Sequence, residues 1–216
     1  MTKPLGSERR PRVPGSHPSA PALAAGRTAR LRTPRLVLEP LEPGHARRLF
    51  PELSDPRIYR YFADEPPVST AALRKRFERY VRGTRLSGSL RGRNWAVRTR
   101  AGRAWIGTMQ ATLDVRRRQA FVAYLLVPAR WGHGYGSEGV RAVLRSLRDR
   151  DGIETIEALV DARNRRSIHL LVGLGFRRVA TRRRAEFFKG RWSDEYRYRL
   201  APSPKRATSP RRRQGV

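Results

Sequence analysis

The segment from Leu125 to Gly139 restricts the fold more than any other part of this chain. It begins as an apolar run typical of a β-strand, passes through a turn with glycine at every second position, and opens a helix with an apolar stripe. A helix start of this kind presents unbonded backbone N–H groups and the positive end of the helix dipole, so the junction predicts an anion site. Glycine also lets the backbone approach a phosphate, because no Cβ intervenes.

A dinucleotide site is the first alternative for this segment. Residues 134–139 match the G-x-G-x-x-G fingerprint, and Asp161 follows where a ribose-binding acid would stand. The surrounding pattern disfavours it, because several strands without crossover helices precede the turn and one clear crossover follows. A dinucleotide-dependent oxidoreductase nevertheless remains an alternative, because the fingerprint itself is present. The chain lacks G-x-x-x-x-G-K-[ST], which excludes a P-loop.

The chain of 216 residues predicts one domain between two basic tails. Residues 1–30 and 201–216 are rich in Pro, Ser, Gly, Ala and Arg without hydrophobic periodicity, and we expect them to be disordered. Residues 31–200 form the predicted domain. No apolar run is long enough to span a membrane, and no secretory signal follows Arg9 and Arg10, so we expect a cytoplasmic protein.

Hydrophobic periodicity predicts an α/β domain of closely spaced elements. Strands are expected at residues 36–38, 94–99, 104–113, 119–127, 155–161, 177–181 and 194–200. Helices are expected at residues 43–53, 55–61, 70–81, 136–150 and 164–174. The three strands in the middle follow one another through short turns, which predicts an antiparallel meander. Gly175 can take the left-handed conformation that ends the last helix.

The composition allows a second alternative, a basic nucleic-acid-binding module. The net charge is +30, and only four of the 48 basic residues are lysines, a bias that a GC-rich genome also produces. Such a chain attracts anions or nucleic acid without specificity, chiefly through its basic tails. The tails contain no Phe, Tyr or Trp for base stacking, which disfavours this function. There is no cysteine and the four histidines are scattered, so no metal site is expected.

Four blocks of the sequence resemble the GCN5-related N-acetyltransferases. The glycine turn is similar to their pyrophosphate motif, [Q/R]-x-x-G-x-[G/A], with Trp131 in the first position, as is common in the branch of ribosomal-protein N-terminal acetyltransferases. The other three blocks resemble that branch's opening strand, its second conserved block and its C-terminal region; they are Leu31–Leu38, Asn164–Ser167 with Leu174–Phe176, and Glu186 with Gly190 and Asp194. Together the blocks extend over residues 31–200.

The resemblance implies a mixed, mostly antiparallel sheet flanked by helices, in which strands 119–127 and 155–161 splay apart. It implies acetyl-CoA as acyl donor, without a metal. The acceptor would be a primary amine, on a protein N-terminus or a small molecule, and would attack the thioester directly through a tetrahedral intermediate.

The resemblance also implies the site residues. Ser167 would be the acid and Glu186 the base, Asn164 would hold the pantetheine, and the backbone of Leu125 and Val127 would pair with it. The pyrophosphate would be held by Trp131, Gly132, His133, Gly134, Tyr135, Gly136 and Ser137. One departure concerns the base: Phe121 stands where many relatives carry a glutamate on the fourth strand. The alternatives to Glu186 are then Asp114, Asp161 and water.

Overall fold

The computed structural model describes residues 28–82 and 89–201. This part of the chain contains eight strands, β1 to β8, at Leu31–Arg32, Leu36–Pro40, Leu90–Thr99, Trp105–Asp114, Gln119–Leu126, Thr155–Asp161, Arg177–Phe188 and Arg191–Leu200. Four α-helices, α1 to α4, span Ala46–Leu53, Thr70–Arg82, Tyr135–Asp149 and Arg165–Gly173, with 3-10 turns at Pro43–His45, Pro56–Tyr59 and Pro128–Arg130. The tails expected at residues 1–30 and 201–216 fall almost entirely outside the described residues.

The eight strands form one sheet in the order β1-β2-β3-β4-β5-β6-β8-β7. Neighbouring strands are antiparallel except β5 and β6, which pair in parallel. A parallel pair needs a crossover connection, and α3 lies in the one that joins β5 to β6. The expected fold class, a mixed and mostly antiparallel sheet flanked by helices, is confirmed.

The sheet separates two layers of helices. Helices α1 and α2 contact each other and pack on β3 and β4, while α3 packs on β1, β2, β4 and β5 and contacts α4. Successive residues of a strand face opposite sides, and β4 shows the division. Thr108 and Gln110 face the α1–α2 layer, whereas Met109 packs against Gly139 of α3. Any opening between two strands of this sheet therefore connects the two layers.

The hairpin of β7 and β8 is longer than the sequence predicts. Strand β7 continues past the expected end at Thr181 to Phe188, and the turn at Lys189 and Gly190 has φ of 51° and 74°. Most of β7 is exposed on both faces, so its residues show none of the alternation by which a half-buried strand is predicted. The bulged part of β7 is fixed by the Arg184 amide, which donates to the Asp194 carboxylate at 2.8 Å.

No helix within the described ranges has both the length and the apolar character that crossing a bilayer requires.

Candidate active site

The two central strands separate at one end of the sheet. Parallel pairing of β5 with β6 ends where Phe121 lies opposite Glu157, although β5 continues to Leu126 and β6 to Asp161. Glu157 is fully buried at this point, where Arg197 and Arg199 of β8 form ion pairs with its carboxylate. The predicted splay is confirmed, and the gap opens towards the carboxyl ends of both strands.

The register of β5 decides which backbone groups face the gap. The Val127 amide donates to the Ile106 carbonyl of the β4 edge at 3.0 Å. Because the hydrogen-bonding direction alternates along an antiparallel strand, Leu125 and Val127 turn their backbone groups towards β4, and Tyr124 and Leu126 turn theirs into the gap. The pantetheine contact expected at Leu125 and Val127 stays a prediction.

The glycine turn lies at the open end of the gap. Gly132 and Gly134 have left-handed backbone conformations, with φ of 78° and 77°, which residues other than glycine rarely adopt. Gly134 is the N-cap of α3, and the first amide bonded within the helix is that of Glu138, which donates to the Gly134 carbonyl at 3.0 Å. The amides of residues 135–137 therefore precede the first helical hydrogen bond and project from the positive end of the helix. This is the geometry of the expected anion site.

Arg35, which precedes β2, donates hydrogen bonds to two residues of the turn region. No local sequence pattern indicates this contact. Its amide and its Nε donate to the Glu138 carboxylate at 2.9 and 2.6 Å, and its Nη1 donates to the His133 carbonyl at 3.0 Å. Its guanidinium also lies 4.6 Å from the centre of the Tyr135 ring. Burial raises the pKa of Glu138, but hydrogen bonds from Thr33 and Arg35 outweigh it and lower the pKa overall. Glu138 therefore stays ionised and keeps Arg35 beside the turn.

Trp131 and His133 bind the turn to the strand that precedes it. The Trp131 indole N–H donates to the Leu126 carbonyl at 2.7 Å, and the Arg166 guanidinium stacks 4.6 Å from its ring centre. His133 is exposed, and its Nδ1 lies 2.7 Å from the Trp131 carbonyl oxygen. The indole thus occupies a backbone group that Leu126 turns into the gap.

Ser167 meets Tyr124 across the gap. The two hydroxyl oxygens are 2.8 Å apart, and Asn164 caps α4 by accepting the Ser167 amide at 3.1 Å. Burial raises the pKa of Tyr124 to about 12, with the Ser167 hydrogen bond acting in the opposite direction. Tyr124 is consequently protonated at neutral pH and can donate. The structure brings together Asn164 and Ser167 as expected, and adds Tyr124.

None of the candidate bases forms a hydrogen bond with Tyr124 or Ser167 among the described contacts. Glu186 is on β7, opposite Ser193 in the outer hairpin. Asp161 ends β6, where Arg163 forms an ion pair of 2.5 Å with it and the Ser193 hydroxyl donates at 2.6 Å. Burial raises the pKa of Asp161, but these two partners outweigh it and lower the pKa overall. Asp114 lies at the far end of β4, beside the paired start of β5.

A cavity opens on the other face of the sheet, beneath α1 and α2. The empty space between its lining atoms is about 400 Å³ with the part open to solvent included, and about 20 Å³ of it can hold the centre of a water-sized sphere. Its lining comes from both helices, from the loop between them, and from β4 and β5; it consists of Leu53, Tyr59, Asp64, Leu73, Arg76, Phe77, Tyr80, Thr108, Gln110, Ala123, Tyr124 and Leu125. Since Tyr124 and Leu125 also belong to the edge of β5, the cavity lies beside the gap. No local sequence pattern indicates this cavity, because its walls come from distant parts of the chain.

Lys189 closes one side of this region. The tip of the β7–β8 hairpin carries its ammonium group to the α1–α2 loop, where it donates to the Tyr59 and Phe62 carbonyls at 2.7 and 3.0 Å. Glu65 adds a longer ion pair of 3.5 Å. The outer hairpin and the cavity wall are therefore linked through one side chain.

Within residues 28–82 and 89–201, no group of three or more His, Asp or Glu side chains is arranged to hold a metal ion.

Comparison with known proteins agrees with this geometry. Residues 35–177 match the family model described as Acetyltransferase (GNAT) domain. The chain is 26% identical over 161 residues to the uncharacterized N-acetyltransferase YoaA of Bacillus subtilis, which covers 74% of this chain and 89% of that protein.

Two solved structures have the same fold. The spermidine N-acetyltransferase from Vibrio cholerae, solved with CoA and spermine, superposes with a TM-score of 0.67 at 20% identity over 79% of this chain and 97% of that chain. The ribosomal-protein-S5-alanine acetyltransferase from Vibrio fischeri gives 0.70 at 14% identity over 81% of this chain and 97% of that chain. The family model extends over more than half of the sequence, and on that ground the chain belongs to the GNAT family and is an N-acetyltransferase.

Proposed function

We propose that this protein transfers an acetyl group from acetyl-CoA to a primary amine. The observation that carries the proposal is the start of α3, where the amides of residues 135–137 project at the open end of the gap. A pyrophosphate is the kind of anion that such a helix start binds. A Cβ on Gly134 would lie 3.3 Å from Arg35 Nη2, so a cationic group stands directly beside the turn. Residues 131–137 are the proposed pyrophosphate site.

Acetyl-CoA supplies an activated acetyl thioester, and the chain supplies its orientation and a proton. The backbone of Tyr124, the Leu126 amide and the Asn164 side chain are the groups available to the pantetheine along the gap, since the Leu126 carbonyl already accepts the Trp131 indole N–H. Ser167 is the proposed donor to the departing sulfur. Tyr124, protonated at neutral pH because burial raises its pKa, can return a proton to Ser167 over 2.8 Å.

The acceptor enters from the opposite face, through the cavity beneath α1 and α2. This arrangement lets donor and acceptor approach the gap from different layers of the molecule without competing for space. The acceptor is a primary amine of a protein N-terminus or of a small molecule. The Vibrio cholerae relative named above is a spermidine N-acetyltransferase of the same fold, which supports an amine acceptor. Glu186 remains the base that the family resemblance implies.

Release of the CoA thiol from acetyl-CoA, measured against peptides, polyamines and amino sugars, tests the proposal. We expect turnover with at least one class of primary amine, and calorimetric binding of CoA without binding of NAD. A protein that binds NAD but not CoA would overturn the proposal and favour the dinucleotide alternative.

A further inference from the structure

The Asp64 carboxylate stands in the cavity wall without a partner. It is half-buried in the loop between α1 and α2, and it makes no hydrogen bond or ion pair within 4 Å to any residue in the described ranges. Withdrawing a carboxylate from water without pairing it is unfavourable. A cationic group entering the cavity would remove that cost.

Two of the three cations that face Asp64 are held by backbone carbonyls. Arg76 donates to the Glu65 carbonyl at 3.2 Å. Lys189 donates to the Tyr59 and Phe62 carbonyls and, at 3.4 Å, to the carbonyl of Asp64 itself. Burial is the largest effect on the pKa of Asp64 and raises it, and the charge of Glu65 acts in the same direction. The nearby charges of Arg76, Arg79 and Lys189 lower this pKa, but the net result is a rise. A carboxyl with a raised pKa accepts a proton more readily than an ordinary aspartate.

Tyr59 supplies a second unpaired group in the same wall. Its hydroxyl is buried and has no hydrogen-bond partner among the described residues. Burial raises the pKa of Tyr59 to about 12, and the nearby Arg76 guanidinium acts in the opposite direction. A buried polar group without a partner is uncommon in folded proteins. Asp64 and Tyr59 together therefore indicate a polar, positively charged occupant rather than an apolar one.

Three other carboxylates that are withdrawn from water lie outside the cavity. Glu157 is paired with two arginines, and Asp161 with Arg163 and the Ser193 hydroxyl. Glu195 of β8 is half-buried, and burial raises its pKa as it does that of Asp64. Asp64 differs from all three because it lines the cavity.

We propose that Asp64 binds the ammonium group of the acceptor and takes its proton. In this step an N–H bond breaks, an O–H bond forms on the carboxylate, and the nitrogen lone pair becomes available to attack the acetyl carbon. Tyr59 accepts or donates a hydrogen bond to the bound amine. The inference rests on the proposed acetyl transfer and assigns to Asp64 the role that the family resemblance implies for Glu186.

The test compares Asp64→Asn with two matched variants, Glu65→Gln and Glu186→Gln. Glu65 is the adjacent carboxylate, exposed and outside the cavity, and Glu186 is the rival base. Each variant is assayed with an alkylamine, which is charged at neutral pH, and with a hydrazide, whose nucleophilic nitrogen is uncharged. For Asp64→Asn we expect kcat/KM on the alkylamine to fall about ten- to a hundredfold, the scale of a lost hydrogen bond to a charged group. The hydrazide should lose less than about threefold, since it has no charge to bind.

The pH profile gives an independent measure. In the wild-type protein kcat/KM for the alkylamine should decrease as the pH falls through the raised pKa of Asp64, because the protonated carboxyl can neither bind an ammonium nor accept a proton. Asp64→Asn should lose this acidic limb, and Glu65→Gln should keep it. CoA affinity should match the wild type in all three variants, and the melting temperature should not fall below that of the wild type. If Asp64→Asn does not fold, Tyr59→Phe provides the second measurement, with an expected selective loss on the alkylamine.

Three results would overturn the inference while leaving acetyl transfer intact. They are equal losses on both acceptors, an unchanged acidic limb in Asp64→Asn, and a loss of charge selectivity in Glu186→Gln alone. A wild-type protein that turns over neither acceptor and binds no CoA would instead refute the acetyl transfer on which the inference rests.

Discussion

The Tyr124 and Ser167 hydroxyl oxygens lie 2.8 Å apart and join β5 to α4 across the gap between the central strands. Tyr124 pairs with Met109 in the sheet, so its side chain lies on the α3–α4 face, whereas the neighbouring Leu125 pairs with Thr108 of the cavity. The contact therefore lies on the proposed donor side, at the strand edge that also bounds the proposed acceptor cavity.

The first prediction concerns this hydroxyl pair. Ser167→Ala should lower kcat by about a hundred- to ten-thousandfold, the range of a lost general acid, with little change in the KM for acetyl-CoA. Tyr124→Phe should lower kcat as well, and the double variant should be scarcely slower than the worse single variant, since the two hydroxyls act in one relay. Steady-state kinetics on the best acceptor measure this. Wild-type rates in both single variants would show that the sulfur takes its proton from water.

The second prediction concerns the glycine turn. Gly134→Val should weaken CoA binding by at least about tenfold, or about 1.4 kcal/mol, because it forces a branched residue into a left-handed backbone conformation beside the proposed pyrophosphate site. Gly44→Val is the matched control, because a Cβ there meets no atom within 4 Å and its φ is not positive. Calorimetry gives the affinities and thermal melting checks the fold. Equal affinity in a folded Gly134→Val protein would exclude the turn as the pyrophosphate site.

Local signals explain the parts of the fold that the sequence predicts. Strand β6 is found at its expected bounds, Thr155–Asp161, and α3 begins one residue before Gly136. The Gly175 φ of 88° ends α4 as expected, with the Phe176 amide donating to the Leu171 carbonyl. Each of these features depends on residues within one or two turns of chain, which is why composition and periodicity suffice to find them.

The features of the fold and of the site that the sequence does not predict depend on long-range contacts. Arg35 and Glu138 are 103 positions apart, and Asp64 lines the same cavity as residues of β4 and β5. Strand pairing also fixed what the sequence could not, namely which backbone groups of β5 face the gap. No local pattern marks such positions, because a single arginine or aspartate has no periodicity of its own.

The third prediction concerns the domain bounds. The Trp95 indole N–H donates to the Ala29 carbonyl at 2.8 Å, and Arg148 donates to the Ala201 carbonyl at 2.7 Å, so both ends of the described chain are bonded to the core. A shortened protein of residues 28–202 should retain the melting temperature and the kcat/KM of the full chain. Removing Ala29 as well should lower the melting temperature. Loss of the thermal transition in the 28–202 protein would show that a tail belongs to the folded core.

The fourth prediction concerns pH. The pKa of Asp161 is lowered in the folded state, so its partners stabilise the fold at pH values above the unfolded pKa, and that stability is lost as the pH falls through the folded pKa. Asp161→Asn should therefore melt below the wild type at pH 7, and the difference should shrink below about pH 4, the ordinary range of aspartate. Asp114→Asn, on a more weakly paired carboxylate, is the control and should differ little from the wild type at either pH. A difference for Asp161→Asn that grows towards acid pH would contradict this account.

The fifth prediction concerns Lys189, which fastens the outer hairpin to the cavity wall. Lys189→Met keeps the aliphatic stem but leaves the Tyr59 and Phe62 carbonyls without their donor, so it should cost about 1 to 3 kcal/mol of stability. Because these carbonyls belong to the loop that carries Asp64, the KM for the amine should rise severalfold. CoA affinity should stay unchanged, since the glycine turn lies at the start of α3. Lys75→Met, on the exposed face of α2, is the control and should affect neither quantity. Acceptor kinetics, calorimetry and thermal melting separate these effects. A Lys189→Met protein with weakened CoA binding and an unaltered KM for the amine would show that the hairpin serves the proposed donor site instead.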